Sequence, residues 1–325
     1  MAGVPRAAGV PDYTPSGTVN FDPEIYSGKL VEKFYKTTVF GEIATTDYEG
    51  DIVGFGAQVR IRTVPDITVS AYTIGTGLTP QYPTSSSVVL AINQAYSFNV
   101  ALSLVDARQS DIDLADIFAN DGSIQLKIQA DLDMLTTIPT QVSAFNTGNT
   151  GGQDAQNLPL GTVTAPVQMM PLGATGVQVN VIDHVTFCGQ ALDETNVSDE
   201  GRWLVAPPWY INFLKRSDLR IASLSGDGSS ILRNGKVGMV DRFNVFQSRN
   251  VAKNTPGSTI TTNWSVMFGH PAGLAFAAQI VEAQMIDNPS DFGYLIRGLM
   301  VFGFQTIQPL YLGTTYVYPA TAGLT

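Results

Sequence analysis

Cysteine and histidine are almost absent from this sequence of 325 residues, and both absences restrict its chemistry. Cys188 is the only cysteine, which excludes a framework of intrachain disulfides and a metal site built from several cysteines. His184 and His270 are the only histidines, so the usual supply of metal ligands and general bases is small. We therefore predict no catalytic, cofactor-binding or metal-binding residue, and we interpret Cys188 as a core residue and both histidines as structural.

Long apolar runs are also missing. No uninterrupted apolar stretch reaches about 18 to 20 residues, the length of a transmembrane helix, and no basic-then-apolar leader follows Met1. We expect a soluble chain that is made in the cytoplasm and has no membrane partner. With 44% hydrophobic residues, the chain can still bury a sizeable core.

Positive charge is scarce and unevenly distributed. The chain has 18 basic and 28 acidic residues, and its net charge is −10. Residues 101–200 contain 13 acids and 2 bases, whereas residues 201–250 contain 8 bases and 3 acids. Surfaces of opposite sign on copies of one chain attract each other, and an acidic surface repels nucleic acid. We expect the basic block to pair with acidic neighbours, although ordinary solvated faces explain either block taken alone equally well.

A phosphate-binding loop is suggested and then excluded by residues 225–243, which contain glycines, hydroxyls and a Gly–Lys step. Such a loop needs a glycine five residues before the Gly–Lys pair and a hydroxyl residue directly after it. Ser230 and Val237 occupy these two positions. Asn234–Gly235 is instead typical of a tight turn that leads into a strand containing Val237, Met239 and Phe243.

Asp193 and Glu194 are the best candidates for acid/base chemistry, because two neighbouring carboxylates could supply an acid and a base. Adjacent carboxylates are far more often solvated charges at a helix end. We nevertheless keep an acid/base hydrolase that uses Asp193 or Glu194 as an alternative from a different functional class.

Alternating residues predict a long hairpin in the first third of the chain. Val59 and Ile61 alternate with Arg60 and Arg62, as in a strand with one buried face. A turn-rich interval follows, and then a second strand-like run over Val88–Leu102. A two-stranded hairpin of this length is marginally stable alone, so we expect it to lie against another surface.

Helical spacing and strand signals predict the remaining elements. Two helices are expected around a break near Asn120–Gly122, the second carrying the apolar stripe of Ile124, Ile128, Leu132 and Leu135 and ending before Pro139. The other predicted elements are a short helix within Lys29–Phe40, a helix over Val181–Leu192, a buried strand at Trp203–Ala206, a helix over Trp209–Arg216, an alanine-rich helix from Pro271 to about Met285, and strands near Leu299–Gln305 and Thr314–Tyr318. Residues 141–166, rich in Asn, Gly, Gln and Thr, predict a surface excursion or a domain boundary.

Four segments resemble, in this order, motifs of one protein family. They are Lys33–Phe40 with Gly50–Val53, Phe98–Leu102 leading into a helix that carries Asp131 or Asp133, Leu192–Val197 followed by Glu200–Pro207, and Asn234–Ser248. Together they resemble the major capsid (coat) proteins of tailed bacteriophages, which are built on the Hong Kong 97-type fold. Three positions depart from the family pattern: Ile52 replaces a threonine, Ser198 a proline and Arg242 a glycine.

The resemblance implies an α+β fold with four regions. Residues 1–27 would form an N-terminal arm and residues 46–100 an extended loop. Residues 28–45, 101–144 and 292–325 would form a peripheral domain with a long spine helix, and residues 145–291 an axial domain.

The resemblance also implies a function: self-assembly, as hexamers and pentamers, into the icosahedral shell that encloses the double-stranded DNA genome of a tailed phage. A separate scaffolding protein, a portal and a decoration protein are implied partners, and DNA would be enclosed without sequence-specific binding. The expected location is the virion, after assembly in the cytoplasm of the host bacterium. An encapsulin-like nanocompartment shell is the alternative within the class, and a tail or decoration protein is a further one.

We predict a shell without covalent cross-links. No Lys or Arg lies between Arg62 and Arg108, and residues 46–100 contain no lysine that could form the isopeptide bond used by some members of the family. Mature particles run on a denaturing gel should therefore yield a monomer band. A ladder of covalent oligomers would contradict the prediction.

Overall fold

The structure is a computed structural model. It describes residues 35–36, 38–48, 58–65, 67–75, 77, 79–104, 113–172, 178–217, 238–255, 262–289 and 291–320, with the backbone alone for 279–282. Three predicted features lie outside the described residues: the arm at 1–27, the motif at Gly50–Val53 and the glycine-rich stretch before Gly238.

The described residues form four α-helices. In chain order they are α1 (Phe40–Ile43), α2 (Leu114–Thr137), α3 (Val181–Glu194) and α4 (Pro208–Arg216). The described strands are β1 (Gln58–Arg62), β2 (Ser87–Ala91), β3 (Gln94–Ser103), β4 (Val167–Met170), β5 (Gln178–Asn180), β6 (Trp203–Ala206), β7 (Met239–Val240), β8 (Phe243–Gln247), β9 (Lys253–Asn254), β10 (Asn263–Gly269), β11 (Leu274–Asp287), β12 (Gly293–Thr306) and β13 (Leu312–Pro319).

A mixed sheet of eight described strands lies at the centre. Its order is β5-β4-β13-β10-β6-β8-β7, with β9 attached to β10. Strand β6 is buried on both faces: Leu204 and Ala206 join a core with α3 and α4, whereas Trp203 and Val205 join a second core with α2 and β11–β12. The sheet is therefore covered on both sides, which explains the continuous apolar sequence of β6.

A second sheet has the order β11-β12-β3, and α2 packs against it. Strands β1 and β2 form the base of the predicted hairpin, with Arg62 opposite Ser87. This base lies against the second sheet, where Ile61, Leu90 and the alanines of β11 form a small third core. The predicted hairpin and its supporting surface are thus confirmed, although the run Val88–Leu102 is two strands with different partners rather than one.

Several predicted elements are confirmed because their signals are local. Helix α3 begins after Asn180, whose side chain accepts the amide of Ile182, and α4 has Pro208 in its first turn. Helix α2 ends one residue before the 3₁₀ turn that contains Pro139. Cys188 is fully buried in the first core, as predicted. The strands near 299–305 and 314–318 are present and longer than predicted.

The predicted alanine-rich helix from Pro271 to Met285 is wrong. Pro271–Gly273 is a 3₁₀ turn, and β11 follows, paired with β12 along its length. Ala275 and Ala277 face the hairpin core, whereas Leu274 and Phe276 face the second core. Small and large side chains alternate because two different surfaces approach the strand, and this packing overrides the helix propensity of alanine.

The predicted break near Asn120–Gly122 is also wrong, because α2 runs without interruption through these residues. Gly122 is needed for packing: a Cβ there would lie 2.5 Å from the ring of Phe98 on β3. Gly298 on β12, directly opposite Phe98, likewise leaves no room for a Cβ beside the ring. The ring is held between two glycines, so the long helix can approach the sheet.

Two smaller predictions need correction. Of the segment Lys29–Phe40, residues 35–36 and 38–39 are described and are not helical, and a short helix begins at Phe40; residues 29–34 and 37 lie outside the described residues. Residues 141–166 are not simply a surface excursion, because Leu158 and Leu160 are buried in the first core. The buried Asn146 also donates to the carbonyls of Leu310 and Leu312.

We predict that Gly122→Ala destabilises the chain by about 1 to 2 kcal/mol, because overpacking against Phe98 outweighs the helix propensity gained. Denaturant unfolding measures the change. Asn120→Ala, at an exposed position of the same helix, is the control and should be neutral or slightly stabilising. A Gly122→Ala chain at least as stable as the wild type would contradict the packing argument.

Candidate functional site

Asp131 on α2 joins three separate segments of the chain. Its carboxylate is fully buried and accepts the backbone N–H of Val39 at 2.8 Å, that of Phe40 at 3.0 Å and the side-chain amide of Asn250 at 2.7 Å. Val39 precedes α1 without capping it, so Asp131 caps this helix from another element. Burial raises the pKa of the Asp131 carboxyl, and the three hydrogen bonds oppose that rise.

Asp133, the other candidate for the characteristic aspartate, has a different role. It accepts the hydroxyl of Tyr96 at 2.5 Å and the side chain of Gln129 at 3.0 Å, and so fastens α2 to β3. Asp131 is therefore the residue that connects α2 with the start of α1 and with the loop after β8.

A cluster of two arginines and two bridging aspartates ties the end of α3 to the β7–β8 turn. Arg202 lies 2.7 Å from Asp193 and 3.0 Å from Asp199, and Arg242 lies 2.8 Å from each. Arg202 is fully buried and also donates to the carbonyls of Val197 and Ser198, whereas Arg242 is 39% exposed. Part of the basic block at 201–250 is thus neutralised within the chain.

The turn between β7 and β8 keeps the backbone shape that a glycine would favour. Asp241 and Arg242 both have positive φ, 44° and 65°, and Val240 pairs with Phe243 across the turn. Such two-residue turns usually contain glycine or asparagine. Here the ion pairs of Arg242 with Asp193 and Asp199 offset the cost of the left-handed backbone.

The geometry does not make Asp193 and Glu194 an acid/base pair. Burial opposes ionisation of both, but hydrogen bonds outweigh it and lower the pKa of each carboxyl. Asp193 receives them from Arg242 and Arg202, and Glu194 from the amides of Ala155 and Asp154 and from the side chain of Gln190. Neither carboxyl holds a proton at neutral pH, as a general acid must. Their stabilisation is present above the ordinary carboxyl pKa and is lost as pH falls through the lowered value.

The histidines and the cysteine lie in structural surroundings. His184 is buried between the hydroxyls of Tyr210 at 2.9 Å and Thr315 at 2.8 Å, and burial lowers its pKa to about 3, so the ring is neutral. His270 accepts the amide of Ala272 and so begins a 3₁₀ turn. Burial raises the pKa of the Cys188 thiol, which keeps it protonated and unreactive.

Across the described ranges, no three side chains of metal-ligand type come together. Nor does any helix in this part of the chain have the length and apolar character needed to cross a membrane.

The hairpin continues beyond β1 and β2 as an exposed apolar segment between residues 63 and 86, which the structure describes at 63–65, 67–75, 77 and 79–86. Thr63 donates its amide to Ser86, and Gln81 bonds the backbone of Thr68 in both directions, so the two sides remain paired. Between 67% and 92% of each large apolar side chain on the segment is exposed. These side chains are Val64, Ile67, Val69, Tyr72, Ile74 and Tyr82. A continuous set of this kind marks a surface that contacts another molecule.

These features define a class: an α+β subunit in which a long helix and a three-stranded sheet cover one face of a larger mixed sheet, with a projecting apolar hairpin. No family model and no curated protein matches the sequence. Solved structures match over nearly the whole chain.

All of the structures compared below come from phages. A chain of Mycobacterium phage Che8 matches with a TM-score of 0.70 and 22% identity, over 91% of this chain and 97% of that one. A chain of the capsid of Cyanophage P-SCSP1u has a TM-score of 0.69 and 17% identity, over 98% and 99%. A chain of the mature capsid of bacteriophage PhiM1 has a TM-score of 0.61 and 15% identity, over 98% and 99%. The prediction of the phage capsid fold from the sequence is confirmed.

We predict unequal roles for the two arginines that share Asp193 and Asp199. Arg202→Gln should destabilise the chain by about 3 kcal/mol, because it strands buried hydrogen-bonding groups and breaks a buried ion pair. Arg242→Gln should cost about 1 kcal/mol or less, because solvent screens its partly exposed ion pairs. The backbone cost of the positive φ does not change, since arginine and glutamine both carry a Cβ. Denaturant unfolding at neutral pH measures both. Equal losses would contradict the assignment of Arg202 as the buried centre of the cluster.

Proposed function

We propose that this chain is the major capsid protein of a tailed bacteriophage, which self-assembles into the icosahedral shell around the double-stranded DNA genome. The observation that carries the proposal is the match to phage capsid chains over more than nine tenths of both chains. The proposed location is the capsid shell of the virion, after assembly in the host cytoplasm.

The exposed hairpin supports a role in assembly. Six large apolar side chains on one projecting segment are costly in water and are stabilised when a neighbouring subunit covers them. Many such contacts, repeated around closed symmetry, produce a container far more stable than any one interface. We propose hexamers and pentamers as the units of that symmetry.

We keep the four-region division as part of the proposal. Packing of α2 on β12 supports grouping these two elements in a peripheral domain. Strand β3 also pairs with β12, although its residues 94–100 fall within the proposed extended loop at 46–100. Strand β11 pairs with β12 although it falls within 145–291, and β13 lies in the large sheet although it falls within 292–325. These two strands would connect the peripheral and axial domains.

The proposed partners are a separate scaffolding protein, a portal and a decoration protein, and the DNA would be enclosed without sequence-specific contacts. The net charge of −10 supports a wall that does not hold DNA tightly. An encapsulin-like shell has no observation in its favour, and a hydrolase is disfavoured because Asp193 and Glu194 are bound by protein donors.

We predict that the purified chain, expressed with its scaffolding protein, forms closed icosahedral shells visible by negative-stain electron microscopy. Expression without that partner should give fewer or aberrant particles. Shells that contain an enzyme instead of nucleic acid in infected cells would favour the encapsulin alternative. A chain that stays monomeric under all these conditions would contradict the proposed function.

A further inference from the structure

A cleft of about 480 Å³ lies between the carboxyl end of α2 and the β9–β10 edge of the central sheet. Three basic side chains line it, Lys36, Arg249 and Lys253, together with the polar side chains of Thr136, Thr140 and Asn254. No carboxylate is among the described residues that line the cleft. In an acidic chain, this concentration of positive charge is unusual.

Among the described residues, only Lys36 of these three cations acts on an internal group, since its charge opposes the rise in the pKa of the buried Asp131 carboxyl. Within the described ranges, the side chains of Lys36, Arg249 and Lys253 make no hydrogen bond or ion pair, whereas Arg202 and Arg242 are both paired with aspartates. All three are exposed to solvent. Like charges gathered in one cleft repel each other weakly in water, and an anion that joins them turns this repulsion into attraction.

The arrangement is held by the buried centre at Asp131. Lys36 lies three residues before Val39, and Arg249 lies next to Asn250; both Val39 and Asn250 donate to Asp131. Lys253 belongs to β9 and is fixed opposite Trp264 of β10. Three separate segments are thus positioned by buried groups, and each brings one cation to the same cleft.

The chemistry of the cleft selects an oxygen anion. Ammonium and guanidinium groups bind carboxylates or phosphates. They are the donors that this cleft offers, because the hydroxyls of Thr136 and Thr140 and the side-chain amide of Asn254 already donate within the chain. The volume admits a few side chains, and the net charge of −10 repels a long polyanion such as duplex DNA. An acidic chain supplies the alternative anion itself, since it has 28 carboxylate residues.

We propose that this cleft binds a carboxylate-bearing segment of a second copy of the chain. The proposal rests on the proposed function, because it requires copies packed side by side. It adds to the apolar hairpin a second contact between subunits, one that is electrostatic and therefore depends on salt.

Zero-length carbodiimide coupling tests the contact, because it joins a lysine amine to a carboxylate only where the two touch. Particles and concentrated soluble chain are prepared from a mixture of ¹⁴N- and ¹⁵N-labelled subunits, and mass spectrometry identifies peptides that contain both labels. We expect Lys36 or Lys253 joined to an Asp or Glu of the other copy. Mixed-label peptides without either lysine would overturn the proposal.

A charge-neutral variant provides the second readout. Arg249→Gln with Lys253→Gln should leave the unfolding of the isolated chain unchanged, because both groups are exposed and form no ion pair with any described residue. The double variant should raise the chain concentration needed for assembly about tenfold. Lys215→Gln, which removes one basic charge outside the cleft, is the control and should assemble like the wild type.

The outcomes separate the two proposals. If the wild-type chain forms shells and the double variant assembles at the same chain concentration, the cleft proposal is overturned and the proposed function stands. Duplex DNA that binds the wild-type chain at physiological salt, and loses that binding in the double variant, would assign the cleft to phosphate and also overturn the proposal. If the wild-type chain forms no shells, the proposed function fails, and the mixed-label peptides of the concentrated chain then decide the cleft proposal.

Discussion

The buried carboxylate of Asp131 is the interaction on which much of the remaining structure depends. It fixes the segment before α1, the long helix and the loop after β8 with three hydrogen bonds, and none of these segments is adjacent to another in sequence. Because a buried carboxylate without donors is very unfavourable, the three segments must come together for the fold to form. A single side chain therefore enforces agreement between distant parts of the chain, and it also positions the cations of the proposed anion cleft.

A second constraint operates around the Arg202 cluster. Burial of the guanidinium is tolerated because carboxylates and carbonyls from the end of α3 surround it. The outer arginine, Arg242, shares the same two aspartates and holds an otherwise unfavourable turn. The resemblance motif at Leu192–Pro207 thus meets the described part of the motif at Asn234–Ser248 in one ion-pair cluster.

Local signals were enough to predict α3, β6 and α4 from the sequence, since a helical apolar stripe, a buried apolar run and a proline in the first turn act over a few residues. Strand β11 could not be predicted, because its conformation depends on β12, which is distant from most of it in sequence, and on the hairpin that covers its alanines. The helix break predicted at Gly122 was wrong for a similar reason: the glycine makes room for the ring of Phe98, which belongs to another element. At the candidate site, the basic block at 201–250 was visible as a charge count. The pairing of Arg202 and Arg242 with aspartates, and the meeting of Arg249 with Lys36 and Lys253 from outside the block, required the tertiary structure.

The exposed hairpin has a consequence for the life of the free subunit. Residues 63–86 contain six large apolar side chains that are exposed and no Lys or Arg, so Asp66 and the prolines Pro65, Pro80 and Pro83 are the gatekeeper residues left to oppose aggregation. A subunit that accumulates before it finds correct neighbours would therefore associate through this segment in the wrong way. Ordered addition to a growing particle then competes kinetically with disordered precipitation. The rate at which subunits are synthesised becomes as important for assembly as the affinity of any contact.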